Sequence, residues 1–225
     1  LLPAQIVLEV RRQLLELAAE GGWLAPDEPI ERGIANRESA CCDPEPRYVE
    51  VFKNLWKNED LHALRHHQAI LGVLERMLGE PVLVHPLFVQ RNVFPQADDF
   101  DFTTKSHQDV VHIGGGKTYA AWSPIGDCAM AKGPVCIAAG SHRDGVLDFR
   151  VGPGPGGIET DPPDSCHWHG SDFSVGDVVI FSDTTVHRAL PNRTYELRQS
   201  LDARYQRLRD PIAETNLRAY GNMMA

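Results

Sequence analysis

The change of texture at Pro81 constrains this chain most. From there on, short runs rich in Val, Ile, Phe and Thr alternate with Gly, Pro, Asp and Asn, the pattern of many short strands separated by turns. Strands are expected over 82–94, 110–113, 119–124, 135–138, 177–181 and 198–205. Residues 1–80 read helical instead. Ile6, Val10, Leu14 and Leu17 recur at helical spacing, and Gly21-Gly22 supply a stop. Asn58, followed by Glu59 and Asp60, is a good N-cap for a second helix. Leu61, Leu64, Leu71, Leu74 and Leu78 form its apolar stripe, and Gly79 ends it ahead of Pro81. No internal repeat is visible. The fold class expected is mainly β: one domain over 1–225, with a helical flank (1–80) packed on an antiparallel sandwich or barrel (81–206) and a C-terminal extension (207–225).

At 225 residues one such domain can bury a substantial core. Apolar content of 42% and charged content of 24% are ordinary for a globular protein. A net charge of -9 argues against nucleic acid or an anionic membrane as partner, since both demand a basic footprint. No apolar run approaches a membrane span, and no secretory leader is expected. The chain opens on Leu1-Leu2 rather than Met, so residues upstream are expected. Its cysteines, five in number, show no regular framework; they read as incidental thiols of a reducing compartment, and the cytoplasm is the expected location.

The chemistry concentrates in three places. Ser106-His107-Gln108-Asp109 sets an imidazole and a carboxylate two residues apart, and on a strand such residues share a side and can meet one ion. A His-x-Asp pair by itself occurs by chance in many chains. His187 follows an apolar run opened by Gly176-Asp177. Two histidines and one carboxylate with three positions left open make the facial triad of non-haem iron(II) oxygenases. Arg198-Gln199-Ser200 then follows His187 across a turn at Pro191-Asn192. Arg198 and Ser200 share a strand face, where a guanidinium and a hydroxyl form a fixed clamp for a carboxylate. A lone arginine is usually a surface ion-pair partner; at this offset from a metal histidine the clamp is the better reading.

These motifs resemble the phytanoyl-CoA dioxygenase family of 2-oxoglutarate oxygenases. The matching blocks are His107-Gln108-Asp109, then residues 133–142 (GPVCIAAGSH), then residues 176–181 (GDVVIF), and finally His187 with Asn192, Arg198 and Ser200. They occur in family order over roughly 81–206. The resemblance implies a double-stranded β-helix (jelly-roll, cupin-like) core, with iron(II) held by His107, Asp109 and His187 and 2-oxoglutarate gripped by Arg198 and Ser200. It also implies that Gln90 and Asn92 face the co-substrate or substrate, and that Trp122 walls the co-substrate pocket. Ser106 stands where relatives often carry a bulky aromatic residue. Dioxygen would be the oxidant and a hydroxylation of an unactivated C–H bond the outcome. Desaturation, cyclisation or epimerisation draws on the same cofactors. Related halogenases carry a small residue in place of Asp109, so the carboxylate points to oxygenation.

Other signals carry less. His62, His66 and His67 are expected on a solvated helix face, and His85 and His112 in core or surface packing. His142 reads as part of a turn or a substrate rim. His167 and Trp168, with His169, are expected in a lid-like loop touching substrate. Gly114-Gly115-Gly116-Lys117 lacks the setting of a phosphate loop and reads as a turn, and 152–157 as a flexible loop. The pocket mouth is expected from 32–48, 90–99 and 152–169. The substrate class suggested by the acidic balance and length is a small polar metabolite or a natural-product intermediate, and nothing indicates an oligomeric state. A non-redox cupin-type metal enzyme or sugar-binding module stays open, though it would not need Arg198 and Ser200 at that offset, as does a metal-free interaction protein whose motifs are relics.

Overall fold

The computed structural model describes residues 1–97, 100, 102–113, 117–152 and 155–217. In chain order its helices are α1 (Ala4–Glu20), α2 (Pro46–Trp56), α3 (Glu59–Leu64) and α4 (Gln68–Leu78), with a single turn, α5 (Val110–Ile113), inside the β region. The strands are β1 (Val82–Val84), β2 (Val89–Val93), β3 (Thr118–Pro124), β4 (Val135–Ala139), β5 (Arg150–Val151), β6 (Ile158–Glu159), β7 (His167–His169), β8 (Val179–Ser182), β9 (His187–Ala189) and β10 (Arg198–Arg207). No helix among the described residues is long and apolar enough to cross a membrane.

β10 organises the larger sheet. β1 and β2 pair antiparallel along one of its edges, β3 along the other, and β8 lies beyond β3. Its two faces differ, as period-2 alternation requires. Leu201, Ala203 and Tyr205 point into a large apolar core with Val7, Val10 and Leu14 of α1 and Phe52 and Leu55 of α2. The opposite face looks toward the smaller sheet, in which β4 lies between β7 and β9. Trp122, Ala120, Phe181 and Val135 pack between the sheets. Together these layers form the jelly-roll core with its helical flank. Each large apolar side chain buried there contributes roughly 1.5–3 kcal/mol.

Several elements differ from the sequence reading, each for a local reason. The buried face of α1 is Val7, Val10, Leu14, Leu15 and Ala18, rotated from the expected stripe, so Ile6 is exposed. Helix α2 fell between the two helices read from periodicity. The expected single helix from Asn58 to Gly79 is broken at residues 65–67, where His67 Nδ1 accepts the Ala69 N–H at 3.2 Å and caps α4. His62 is not on a solvated face: it packs edge-on against Trp56 and Phe88, and its Nε2 lies 2.7 Å from the Trp56 carbonyl. The 82–94 run divides into β1 and β2 around Pro86, which has no N–H for a ladder. The 110–113 run is the helical turn α5, its last two N–H groups bonded to the Asp109 carbonyl at 2.9 and 3.0 Å. His167, Trp168 and His169 form strand β7 rather than a loop. The turn expected at 114–116 lies outside the described residues, as do 153–154 of the glycine-rich loop, 98–99 of the expected mouth and 218–225 of the expected extension.

One glycine is needed where the sheets meet the β9–β10 connection. Gly133 adopts φ +78°, and a Cβ there would sit 2.2 Å from the Leu190 carbonyl oxygen. Asn192 of that connection donates to the Val93 and Glu196 carbonyls at 3.0 and 2.7 Å, fixing the approach to Arg198. Gly133→Ala is expected to destabilise the fold by about 1–3 kcal/mol, read as a Tm lower by roughly 3–10 °C.

Candidate active site

Two backbone hydrogen bonds bring the distant parts of the site together. His107 N–H donates to the His187 carbonyl and His187 N–H to the His107 carbonyl, both at 3.0 Å. This single bridge adds His107 to the edge of β9. The chain then turns into α5, which swings Asp109 back over the two imidazoles. His107 and Asp109, expected to share a strand face, meet instead through a bridge followed by a helical turn. Asp109 Oδ1 lies 3.7 Å from His107 Nε2 and 3.8 Å from His187 Nε2. One ligand atom from each residue falls within 4.8 Å of the other two, and all three residues are buried.

The outer contacts fix which nitrogen faces the centre. His107 Nδ1 lies 2.7 Å from the Lys105 carbonyl, and His187 Nδ1 lies 3.0 Å from that of Thr185. Each Nδ1 therefore carries the proton and donates, leaving the Nε2 lone pairs converging. Burial and the neighbouring His187 hold His107 down at about 3, so it stays neutral and ready to ligate. Burial alone would raise the Asp109 carboxyl, but Arg204 and the two histidines hold it below its ordinary value. Gln108, between the ligands and fully buried, points away. Its Nε2 donates to the Gly145 and Thr184 carbonyls at 2.8 and 2.6 Å, and its Oε1 accepts the Leu147 N–H at 2.8 Å. Such a donor set, two imidazoles and one carboxylate with an open side, fits iron(II).

Arg198 lines the same cavity as His107 and His187. It is 2% exposed and forms no ion pair among the described residues; Nη1 meets Ser200 Oγ at 3.1 Å. Its Nε is buried without a partner, and burial lowers the guanidinium to about 10. A buried cation in this state needs an anion, and a 2-oxoglutarate carboxylate is of the right charge and geometry. Trp122 walls this cavity. Gln90 and Asn92 are placed differently from expectation. The register pairs Val89, Arg91 and Val93 with Asp202, Ser200 and Arg198, so the cavity-facing row of β2 is Val89, Arg91 and Val93. Gln90 and Asn92 exchange hydrogen bonds at 2.9 and 2.7 Å, and Gln199 donates to Asn92 at 3.1 Å. Asn92 touches the cavity wall, but its amide is committed to that network.

The family model described as "Phytanoyl-CoA dioxygenase (PhyH)" matches residues 27–200. The chain belongs to that family. It is 33% identical over 226 residues to the 1-deoxypentalenic acid 11-beta-hydroxylase of Streptomyces arenae, covering 91% of this chain and 74% of that protein. A protein of the same name from Streptomyces exfoliatus is 31% identical over 164 residues, covering 64% of this chain and 56% of that one. The fold is similar to that of ThoJ, a non-heme monooxygenase, with a TM-score of 0.60 and 19% identity over 94% of this chain and 73% of that chain. It is also similar to SnoN, a non-heme alpha ketoglutarate dependent epimerase, with a TM-score of 0.54 and 22% identity over 68% of this chain; the match spans 59% of the SnoN chain. The protein is a non-haem oxygenase of the iron(II), 2-oxoglutarate and dioxygen type.

A second cavity, of about 220 Å³, is lined by His107 and Asp109. Leu87, Phe88, Val89 and Ile113 give it an apolar wall, and His112, which is exposed, lines it as well. Arg91 lines both cavities. The expected mouth segments contribute Asp43 and Tyr48, Arg91 and Val93, and Pro155 and Gly156. His167 and Trp168 line neither cavity: His167 is exposed, and Arg188 lies over the Trp168 ring at 4.3 Å. His142 is exposed on the turn after Gly140. Sequence reasoning missed Arg91, Asp202 and Arg204. The signal was available, since the alternation that paired Arg198 with Ser200 continues to both Asp202 and Arg204.

Arg198→Met should leave apo-protein stability unchanged or higher, because it removes an unpaired buried charge. The rise in Tm that 2-oxoglutarate gives the Mn(II)-loaded protein without oxygen should disappear with it. Asp109→Ala should abolish iron-dependent succinate formation; turnover at the original rate would overturn the ligand assignment.

Proposed function

We propose that this enzyme hydroxylates an unactivated C–H bond of a small natural-product intermediate with an apolar skeleton and a carboxylate. The observation that carries the reading is the cavity that His107 and His187 of the metal cluster share with Arg198, which is buried and forms no ion pair among the described residues. His107, Asp109 and His187 hold the metal, Arg198 and Ser200 hold the far carboxylate of 2-oxoglutarate, and Trp122 closes the pocket beside it. Iron with 2-oxoglutarate and dioxygen supplies the oxidising power; the chain supplies orientation and a site from which bulk water is excluded. Gln90 and Asn92 brace the sheet behind the co-substrate, through Gln199 and Tyr48.

The apolar wall of the second cavity supports a less polar substrate than composition suggested. Arg91 stands where that cavity meets the co-substrate cleft and forms no ion pair or side-chain hydrogen bond among the described residues. It is suited to a substrate carboxylate, and the streptomycete relatives are named for an acid. Arg91, rather than His167 or Trp168, is the substrate contact in this reading. The free cysteines, four of them buried, support a reducing compartment and hence the cytoplasm.

Incubation with iron(II), 2-oxoglutarate and a panel of terpenoid and other apolar carboxylic acids should give a mass gain of one oxygen with equimolar succinate. Loss of two hydrogens, or an isomer of unchanged mass, would replace hydroxylation by desaturation, cyclisation or epimerisation. Arg91→Gln should raise KM for the acid roughly 10–100-fold with a smaller change in kcat, the worth of one charged hydrogen bond. An unchanged KM would remove Arg91 from the substrate site.

A further inference from the structure

The carboxylate of Asp109 has two oxygens, and only one faces the histidines. Oδ1 lies 3.7 and 3.8 Å from the two Nε2 atoms, while Oδ2 lies 2.9 Å from Arg204 Nη2. Arg204 is itself held from behind. Both of its terminal nitrogens meet the carboxylate of Asp202, Nη1 at Oδ1 and Nη2 at Oδ2, the latter at 2.9 Å. Its backbone is fixed in the centre of the larger sheet, opposite Ala120 of β3. Arg204 and Asp202 are each 6% exposed and Asp109 is 3% exposed, so the row Asp202, Arg204, Asp109 is a dry, alternating chain of charge. Two carboxylates already satisfy Arg204, which leaves it unsuited to recognising substrate although it lines the second cavity.

The geometry points to Arg204 as a positioning residue that restricts Asp109 to one-oxygen ligation of the metal, with Asp202 fixing Arg204. The need for such a device follows from coordination arithmetic. A carboxylate free to turn can chelate through both oxygens and take four positions together with two histidines. Three positions must stay open, two for the chelating co-substrate and one for dioxygen. The Arg204 guanidinium, ion-paired to Oδ2 at 2.9 Å, draws that oxygen away from the metal side by charge and leaves Oδ1 toward the histidines. A neutral hydrogen-bond donor would serve less well, because it would leave the charge of Asp202 unbalanced in a buried site.

The inference rests on the metal role of Asp109 in the proposed function, and the test separates the two. Wild type, Arg204→Gln, Arg204→Lys and Asp202→Asn would be titrated with Mn(II), and visible spectra recorded for the Co(II)-loaded proteins before and after 2-oxoglutarate. Apo-protein circular dichroism and Tm serve as the fold control. Arg204→Gln should weaken Mn(II) binding 10–100-fold, the usual effect of removing an outer partner of a metal ligand. It should also change the Co(II) spectrum in the absence of co-substrate, which a residue acting only on stability would not do. Arg204→Lys should recover part of the affinity, and Asp202→Asn should follow Arg204→Gln with a smaller loss. If Arg204→Gln does not fold, Arg204→Lys and Asp202→Asn carry the same comparison. Folded variants with Mn(II) affinity within twofold of wild type would overturn the inference; so would lower affinity with an unchanged Co(II) spectrum, since Arg204 would then act through charge alone. Wild type that binds no Mn(II) would instead overturn the metal reading itself.

Discussion

A buried charge must find an opposite charge or stay in water, and one face of β10 carries four polar side chains that obey this rule in different ways. Arg198, Ser200, Asp202 and Arg204 alternate with Gln199, Leu201, Ala203 and Tyr205, and all eight are buried. Arg204 is satisfied within the protein, by Asp202 and Asp109. Arg198 forms no ion pair among the described residues, and in the proposed function that unmet need is what the co-substrate carboxylate fills. The apolar half of the same strand lies under the helices and contributes the burial that offsets the cost of desolvating the polar half. Strand, site and helical flank therefore depend on one register.

That register explains where reading by analogy and the atoms part. Gln90 and Asn92 have the right residue types for a co-substrate wall, but they sit opposite Leu201 and Gln199, on the helix side. Because side chains alternate, a shift of one position moves every residue to the other face. The face toward the cavity belongs to Val89, Arg91 and Val93. Arg91 attracts no notice in the sequence, since an isolated arginine in a strand is most often a surface residue. Its place between the two cavities comes from pairing with Ser200.

The metal cluster depends on closure between segments some 80 residues apart in sequence, an interval read directly from His107 and His187. The reciprocal hydrogen bonds between those two residues bring the imidazoles together, with ring centroids 4.2 Å apart. Gln108 ties the same segment to residues 145, 147 and 184. The middle residue of the motif thus connects the ligands to the segment that leads into Pro155 and Gly156 at the cavity wall.

The sequence by itself determined the division into a helical flank and a β core, the His107, Asp109, His187 cluster and the pairing of Arg198 with Ser200 on one strand face. These are legible because they rest on local periodicity and on side chains whose chemistry has few other uses in combination. Only the tertiary structure decided that 110–113 is a helical turn, that His62 is packed between Trp56 and Phe88, and that Arg204 holds Asp109. A run such as VVHI fits a strand or a helix by its own propensities, and the hydrogen bonds it makes to Asp109 settle the choice. Charge pairing between residues 109, 202 and 204 is likewise a matter of distance in space, which no spacing along the chain encodes.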